Sequence, residues 1–450
     1  MRQIHEYTNK EILVLGMAKS GCAAAKLLNK LGAKVTVNDR ASLKGQPVVT
    51  ELENLGIRVV DNGHPLSLVT EETYIIVKNP GIPYTNPLIE KAESLSIPVI
   101  TEVELAAQVS EAEFVGITGS NGKTTTTTLV GEMLKGSLFN PLVAGNIGTV
   151  LCEVGQKATT EDIIVAELSS FQLLGVRTFH PKIAVFLNLF AAHLDYHGSI
   201  EAYGQAKANI TKNQTEEDWL VVNADDERVQ DFTKHSLAQR VYFSTTRRVE
   251  GAYLEAGTLY FNGEAIIHQD QFAMPKGEHN IANALAAIAV AKIMDVPNDH
   301  IVHVLQTFTG VPHRLQYVET IRGRAFYNDS KATNILATSK ALSAFQQPTI
   351  LLAGGLDRGN GFEDLVPFLK NVKAIVTFGE TKEKIHHTAK DAGVKITKMV
   401  DNIEEAVKVA YDLSEAGDVI LLSPSCASWD QFKTFEERGD MFVNLVHTLK

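Results

Sequence analysis

Cysteine is scarce: Cys22, Cys152 and Cys426 are the only three among 450 residues. They stand far apart with no Cys-x-x-Cys pair. That excludes a disulfide framework and a cysteine zinc site, and fits a reducing compartment where each is a small buried hydrophobe. Long apolar runs are missing too. Met1 to Lys10 is polar, and Ile12 to Leu15 is far too short for a secretion signal or a membrane span, so a cytoplasmic protein with no membrane span is expected. Positive charge is in deficit: 42 Lys and Arg face 53 Asp and Glu, for a net charge of −11. This argues against a general nucleic-acid or acidic-membrane binder, so an anionic substrate must meet locally placed cations. No repeat, low-complexity tract or coiled-coil pattern occurs.

What remains is the composition of an ordinary globular protein, 44% hydrophobic and 21% charged. The length exceeds what one core usually serves, and about 150 residues per domain suggests three. The stretch that organises the chain is Val115 to Thr125, where an apolar run breaks into Gly119-Ser120-Asn121-Gly122 and then Lys123-Thr124-Thr125. Glycines let backbone N–H groups converge on anionic oxygens, a helix starting near Lys123 adds its positive end, Lys123 reaches terminal phosphates and Thr124 can ligate Mg²⁺. Ile117 stands where the usual phosphate-loop pattern has glycine, so Gly119 does more of the turning. The expected ligand is ATP or GTP.

Ahead of this loop, Glu11–Leu15 reads as a strand, Cys22–Leu31 as a helix and Ala33–Asp39 as a second strand. The turn between them resembles a dinucleotide fingerprint with Ala18 in place of the middle glycine and Asp39 at the ribose position. That weakens a case for bound NAD. The strand Thr73–Val77 ends in Lys78-Asn79-Pro80-Gly81-Ile82-Pro83, either a plain turn or a ligand edge. After the loop, Asp162–Glu167 is a strand ending in a carboxylate, the natural place for a Mg²⁺ holder. Ile183–Leu187 opens through Asn188 into His193-Leu194-Asp195-Tyr196-His197, whose two imidazoles and carboxylate suit metal or phosphate. Lys207 follows between two alanines on a helix spanning about 200–211.

Short hairpin-like pieces occupy Gly251–Gly263. Asn280 and Asn283 share one face of the next, alanine-rich helix, where they either grip a base or, for Asn280, cap the helix. Arg314 can reach phosphates or sit in a surface ion pair. Asn328–Asn334 is a dense polar turn after a strand, and Thr349–Ala353, Ala374–Phe378 and Asp418–Leu422 are further buried strands. Two of these empty into Gly354–Gly361, which carries Arg358, and into Ser423–Phe432.

Taken together, TGSNGKTT (118–125), ELSSFQL (167–173), HLDYHGS (193–199) with Lys207 downstream, HNIANALAA (279–287), His313-Arg314, NDSKATN (328–334) and LSPSCASWDQF (422–432) resemble the Mur ligase family in order and spacing. The resemblance covers nearly the whole chain. It implies an α/β protein of three domains: Rossmann-like over 1–110 for the UDP substrate, a central P-loop ATPase-like parallel sheet with a small antiparallel elaboration over 111–311, and Rossmann-like over 312–450 for the amino acid. It further implies ATP-dependent amide ligation through an acyl phosphate, joining D-glutamate to UDP-N-acetylmuramoyl-L-alanine, with the protein a monomer.

By position, the resemblance places ATP on Gly119, Ser120, Asn121, Gly122, Lys123, Thr124, Thr125, Asn280, Asn283, Arg314 and Asp329. Two Mg²⁺ ions fall to Thr124, Glu167, His193 and Lys207, the last as a carbamate, and catalysis to Lys123, Lys207 and His193. Ser20, Asp39, Arg40, Asn79 and Asn146 take the UDP substrate. Lys331, Thr333, Ser428, Trp429 and Phe435 surround D-glutamate. Three alternatives stay open: a sister ligase for another amino acid, an NAD-dependent oxidoreductase on residues 11–39, and a nucleotide switch without chemistry.

Overall fold

The computed structural model describes residues 1–274 and 277–449. Among the described residues twenty strands form three sheets, distributed over two compact units, Met1–Phe308 and Thr309–Lys450. The first unit holds two sheets. In one, β1 (Glu11–Leu15), β2 (Lys34–Asn38), β3 (Arg58–Val60), β4 (Thr73–Lys78) and β5 (Val99–Ile100) run parallel in the order β3-β2-β1-β4-β5. Strand order reverses between β1 and β4, and ligands of open α/β sheets bind at that kind of switch point.

The second sheet comprises β6 (Glu113–Thr118), β7 (Asn140–Gly145), β8 (Asp162–Glu167), β9 (Ile183–Phe186), β10 (Trp219–Asn223), β11 (Gln239–Ser244), β12 (Gly251–Glu255), β13 (Thr258–Phe261) and β14 (Glu264–His268). Its order is β14-β13-β12-β11-β10-β9-β6-β8-β7, parallel except for the β12-β13-β14 meander. The expected hairpin-like pieces are this meander, and it gains β14. Since β6 lies between β8 and β9, the segments leaving all three strands emerge side by side.

Central strands here are apolar on both faces, as parallel sheets covered by helices require. Val115 and Ile117 face one core with the Lys123–Leu134 helix and the Glu278–Ile293 helix, which is buried along Asn283–Ala291. A helix apolar nearly all round belongs inside, against other elements. On the opposite face Phe114, Ile164, Ala184 and Phe186 share a core with residues of the first sheet, among them Ile12, Val14 and Val35, by way of the Glu102–Val109 helix. One continuous core therefore makes the first two sheets a single unit.

In the second unit, β15 (Gln316–Ile321), β16 (Arg324–Asn328), β17 (Thr349–Gly354), β18 (Val372–Phe378), β19 (Ile396–Met399) and β20 (Val419–Leu422) are ordered β15-β16-β20-β17-β18-β19. Edge strand β15 is antiparallel to β16 and the rest are parallel. The sequence reading, which named a strand before Asn328 and the strands Thr349–Ala353, Ala374–Phe378 and Asp418–Leu422, missed β15 and β19. Among the described residues no helix is long and apolar enough to cross a membrane.

Candidate active site

The loop after β6 is shaped by glycine at two positions. Gly119 has φ +154° and Gly122 has φ +81°, in the left-handed region, where a β-carbon would also strike Asn283 Oδ1. Gly122 caps the Lys123–Leu134 helix, so the N–H groups of the first turn point toward the loop. Lys123 folds back over the loop, and its Nζ donates to the carbonyls of Gly119 (2.8 Å) and Ser120 (3.0 Å). Asn283 Oδ1 accepts from Thr126 Oγ1 at 3.3 Å, so the Asn-rich helix is fastened to the phosphate-loop helix. Asn280 lies in the first turn of its helix, whose cap is Gly277, and capping by Asn280 is not what the structure shows.

Asn188, just after β9, is a residue to which the sequence reading gave no role beyond the strand's exit. Its side chain accepts from Asn121 N (2.9 Å) and donates to Asn121 O (3.1 Å), while its carbonyl accepts from Ser120 N (3.0 Å). Ser120 Oγ completes the clamp through Phe190 N and O. A polar residue at a strand's exit was the available signal.

The strand ends bring two further groups to the same edge. Glu167 is buried; Oε1 accepts from Asn146 Nδ2 at 2.9 Å, and Oε2 has no hydrogen-bond partner among the described residues. Asn146, expected toward the UDP substrate, is thus bound to Glu167. Lys207 is also buried, with Nζ donating to Gly119 O at 2.7 Å and lying over the Tyr203 ring at 4.7 Å. Two ammonium groups, Lys123 and Lys207, therefore share one carbonyl. Burial first and Lys123 second hold Lys207 well below the usual lysine range, against the opposing charge of Glu167.

The third contribution is the segment after β9. His193 takes a left-handed φ of +54° and starts the short helix Leu194–His197. Its ring meets Phe171 edge-on at 5.0 Å, and His197 Nε2 pairs with Ser170 Oγ at 3.0 Å. Among the described residues no three His, Cys, Asp or Glu side chains gather as a ready metal cage.

On the first sheet, the switch point between β1 and β4 collects Ser20, Asn79 and Asp39. Asn79 Nδ2 donates to Ser20 Oγ (3.2 Å), and Asp39 accepts from Met17 N (2.8 Å) and Ala41 N (2.9 Å). Gly16, at φ +95°, passes so close to Asn79 that a β-carbon would lie 2.8 Å from its Cβ. Arg40 follows Asp39 directly in the same turn.

In the second unit, β16, β20 and β17 are adjacent and their exits form a second polar edge. Asp329 is buried, accepts from Ser423 Oγ (2.7 Å) and Leu315 N (3.1 Å), and is pushed up to about 6 by burial, against these bonds and Arg314. Lys331 N donates to His313 O at 3.0 Å, tying Arg314's neighbour to the turn that also carries Thr333. Lys331 Nζ lies 5.9 Å from the Phe435 ring centroid, and Ser330 Oγ donates to Phe435 O. Ser428 Oγ is buried with no hydrogen-bond partner among the described residues. Trp429 is 64% exposed with the Arg358 guanidinium over it at 5.2 Å.

Comparison with known proteins decides the family. Residues 117–291 match the Mur ligase middle domain and 313–426 the Mur ligase glutamate ligase domain. A protein of Geobacillus sp. (strain WCH70) named UDP-N-acetylmuramoylalanine--D-glutamate ligase is 60% identical over 100% of both chains. The chain belongs to the Mur ligase family. A Bacillus mycoides (strain KBAB4) protein of the same name is 58% identical, again over 100% of both chains. Among solved structures, the Thermotoga maritima UDP-N-acetylmuramate-alanine ligase has a TM-score of 0.52 at 19% identity, covering 98% of this chain and 100% of that one. A Thermotoga maritima MurF ligase in complex with ADP gives 0.52 at 17%, covering 99% and 97%. At these identities the two resemblances show a shared α/β fold, over nearly the full length.

Proposed function

We propose that this Mur ligase joins D-glutamate to UDP-N-acetylmuramoyl-L-alanine at the expense of ATP, in the cytoplasmic synthesis of peptidoglycan precursors. The observation that carries this is identity of 58–60% over the whole of relatives named for that reaction. We read three domains, 1–110, 111–311 and 312–450, as Rossmann-like, P-loop ATPase-like and Rossmann-like, serving the UDP substrate, ATP and the amino acid in turn.

Carboxylates are poor electrophiles until one oxygen becomes a good leaving group. The alanyl carboxylate attacks the γ-phosphorus of ATP and ADP leaves, giving an acyl phosphate. The amine of D-glutamate then attacks the carbonyl carbon, phosphate departs and the nitrogen loses a proton. In-line transfer between two anions depends on positioning and charge compensation. The loop N–H groups of Gly119–Gly122 with Thr124 and Thr125 would hold the phosphates, and Lys123, released from the Gly119 and Ser120 carbonyls, would follow the γ-phosphate. Asn280, Asn283, Arg314 and Asp329 are assigned to the rest of the nucleotide.

The unpartnered Oε2 of Glu167 beside the phosphate loop fits a cation. Glu167, Thr124, His193 and Lys207 would hold Mg²⁺, which when bound offsets charge on the phosphates. Burial and Lys123 disfavour the charged form of Lys207, and its neutral amine is the form whose lone pair adds to CO₂, forming an N–C bond and releasing a proton to give an anionic carbamate. We assign Ser20, Asp39, Arg40, Asn79 and Asn146 to the UDP substrate, and Lys331, Thr333, Ser428, Trp429 and Phe435 to D-glutamate.

The test is phosphate release with ATP and Mg²⁺. Release requires both UDP-N-acetylmuramoyl-L-alanine and D-glutamate, and L-lysine or L-alanine does not substitute. Equal release with either of those amino acids would overturn the D-glutamate assignment.

A further inference from the structure

Lys78, the last residue of β4, is 1% exposed, and among the described residues its ammonium faces no carboxylate. Its three donors meet three neutral acceptors: Pro80 O at 3.0 Å, Ile82 O at 2.9 Å and Tyr196 OH at 3.3 Å. Tyr196 OH in turn donates to Ile82 O at 3.0 Å. The rings of Tyr84 and Tyr196 cover the ammonium at 4.8 and 5.9 Å. Desolvating a lysine costs several kcal/mol, and a methionine of similar length would fill the space without that cost. What the amine adds is three directed bonds, and they join two segments of the first unit.

One segment is the turn Asn79–Pro83, whose Asn79 holds Ser20 at the switch point of the first sheet. The other is the Leu194–His197 helix, which carries His193 at its start and His197 at its end. Behind Tyr196, Phe171 packs edge-on at 4.6 Å, so the ring is seated and its hydroxyl has one direction to point.

We propose that Lys78 is a positioning residue: through Tyr196 it fixes the His193–His197 segment to the substrate turn of the first sheet, so that substrate contact and phosphate-side geometry are set together. Its consequence for catalysis rests on the roles given above to Asn79 and His193; its structural half does not. Burial holds the Lys78 amine near 8, and Tyr84, Tyr196 and the nearby His197 surround it.

The experiment compares Lys78→Met, Tyr196→Phe and the double variant by amide hydrogen exchange and by kinetics. In the ligand-free protein, loss of the bridge raises exchange of amides 193–199 about tenfold in either single variant, with the Lys123–Leu134 helix unchanged, and the double variant adds no more. In turnover, kcat/KM for the UDP substrate falls about tenfold and half-saturating Mg²⁺ rises, while KM for D-glutamate holds within about twofold. Tyr196→Phe removes one oxygen and keeps the ring, so it carries the test if Lys78→Met does not fold. Parental exchange in 193–199, or losses that multiply in the double variant, would overturn the proposal. If the parent protein fails to turn over, the functional reading falls while the exchange result still decides the bridge.

Discussion

Removing the Asn188 side chain isolates the contribution of a preformed phosphate loop. Asn188→Ala deletes two hydrogen bonds to Asn121, at 2.9 and 3.1 Å, and leaves the Ser120 N to Asn188 O bond intact. Both lost bonds are on the exposed side of the loop, where water replaces them in part, so each contributes about 0.5–1 kcal/mol. Together they amount to about 1–2 kcal/mol of loop ordering that ATP must then supply, a rise of about 5- to 30-fold in the KM for ATP. Steady-state phosphate release across an ATP titration measures it. Loss should fall on ATP, with KM for D-glutamate unchanged, because the Asn188 side chain bonds the loop assigned to ATP. Asn188→Asp keeps the acceptor toward Asn121 N but faces Asn121 O with a second oxygen, so it should do no better than Ala. An ATP KM within about twofold of the parent would refute the claim that this clamp preorganises the loop.

Lys123→Ala should lower turnover by at least about 100-fold, because the charge that follows the γ-phosphate is gone; near-parental rates in the phosphate assay would remove that role. Lys207→Ala should inactivate with partial recovery on adding short carboxylic acids, and ¹³C-bicarbonate should give the parent a carbamate signal that this variant lacks; no such signal in active parent enzyme would contradict the carbamate. Glu102 is wholly buried, and burial raises its carboxyl from 4.5 to about 7. The folded state thus favours the protonated form, so its stabilisation is complete below about pH 4.5 and is lost as pH rises through about 7. Glu102→Gln should therefore gain about 1–3 kcal/mol on the parent between pH 5 and pH 8 in denaturant unfolding, and a pH-independent difference would contradict the sign.

Local chemistry made much of this readable. The apolar run 162–167 ending in a carboxylate is β8 to the residue, and the glycine pair before Lys123 turns where its φ values demand glycine. Legibility failed where the cause is tertiary. Strand β15 is half exposed along Gln316–Thr320 and pairs only at an edge, so it has no apolar alternation to read. The first helix begins at Lys19 rather than Cys22, since Ala18 sits outside it in extended backbone. Lys78 and Tyr196 are 118 residues apart, and Asn121 and Asn188 are 67 apart; nothing local marks either pair. The bond of Asn146 to Glu167 is likewise unmarked in the sequence, because it exists only once β7 and β8 pair. The strand-end loops declared polar, costly surface, while which loops share an edge came from strand order.

The central claim, D-glutamate ligation through an acyl phosphate, meets its most direct test in isotope transfer. UDP-N-acetylmuramoyl-L-alanine with ¹⁸O in its alanyl carboxylate is turned over with ATP, Mg²⁺ and D-glutamate, and the released phosphate and the product are weighed by mass spectrometry. The account predicts one ¹⁸O in each phosphate formed and one amide of D-glutamate in each product. Unlabelled phosphate alongside product, or product formed equally with another amino acid, would contradict it.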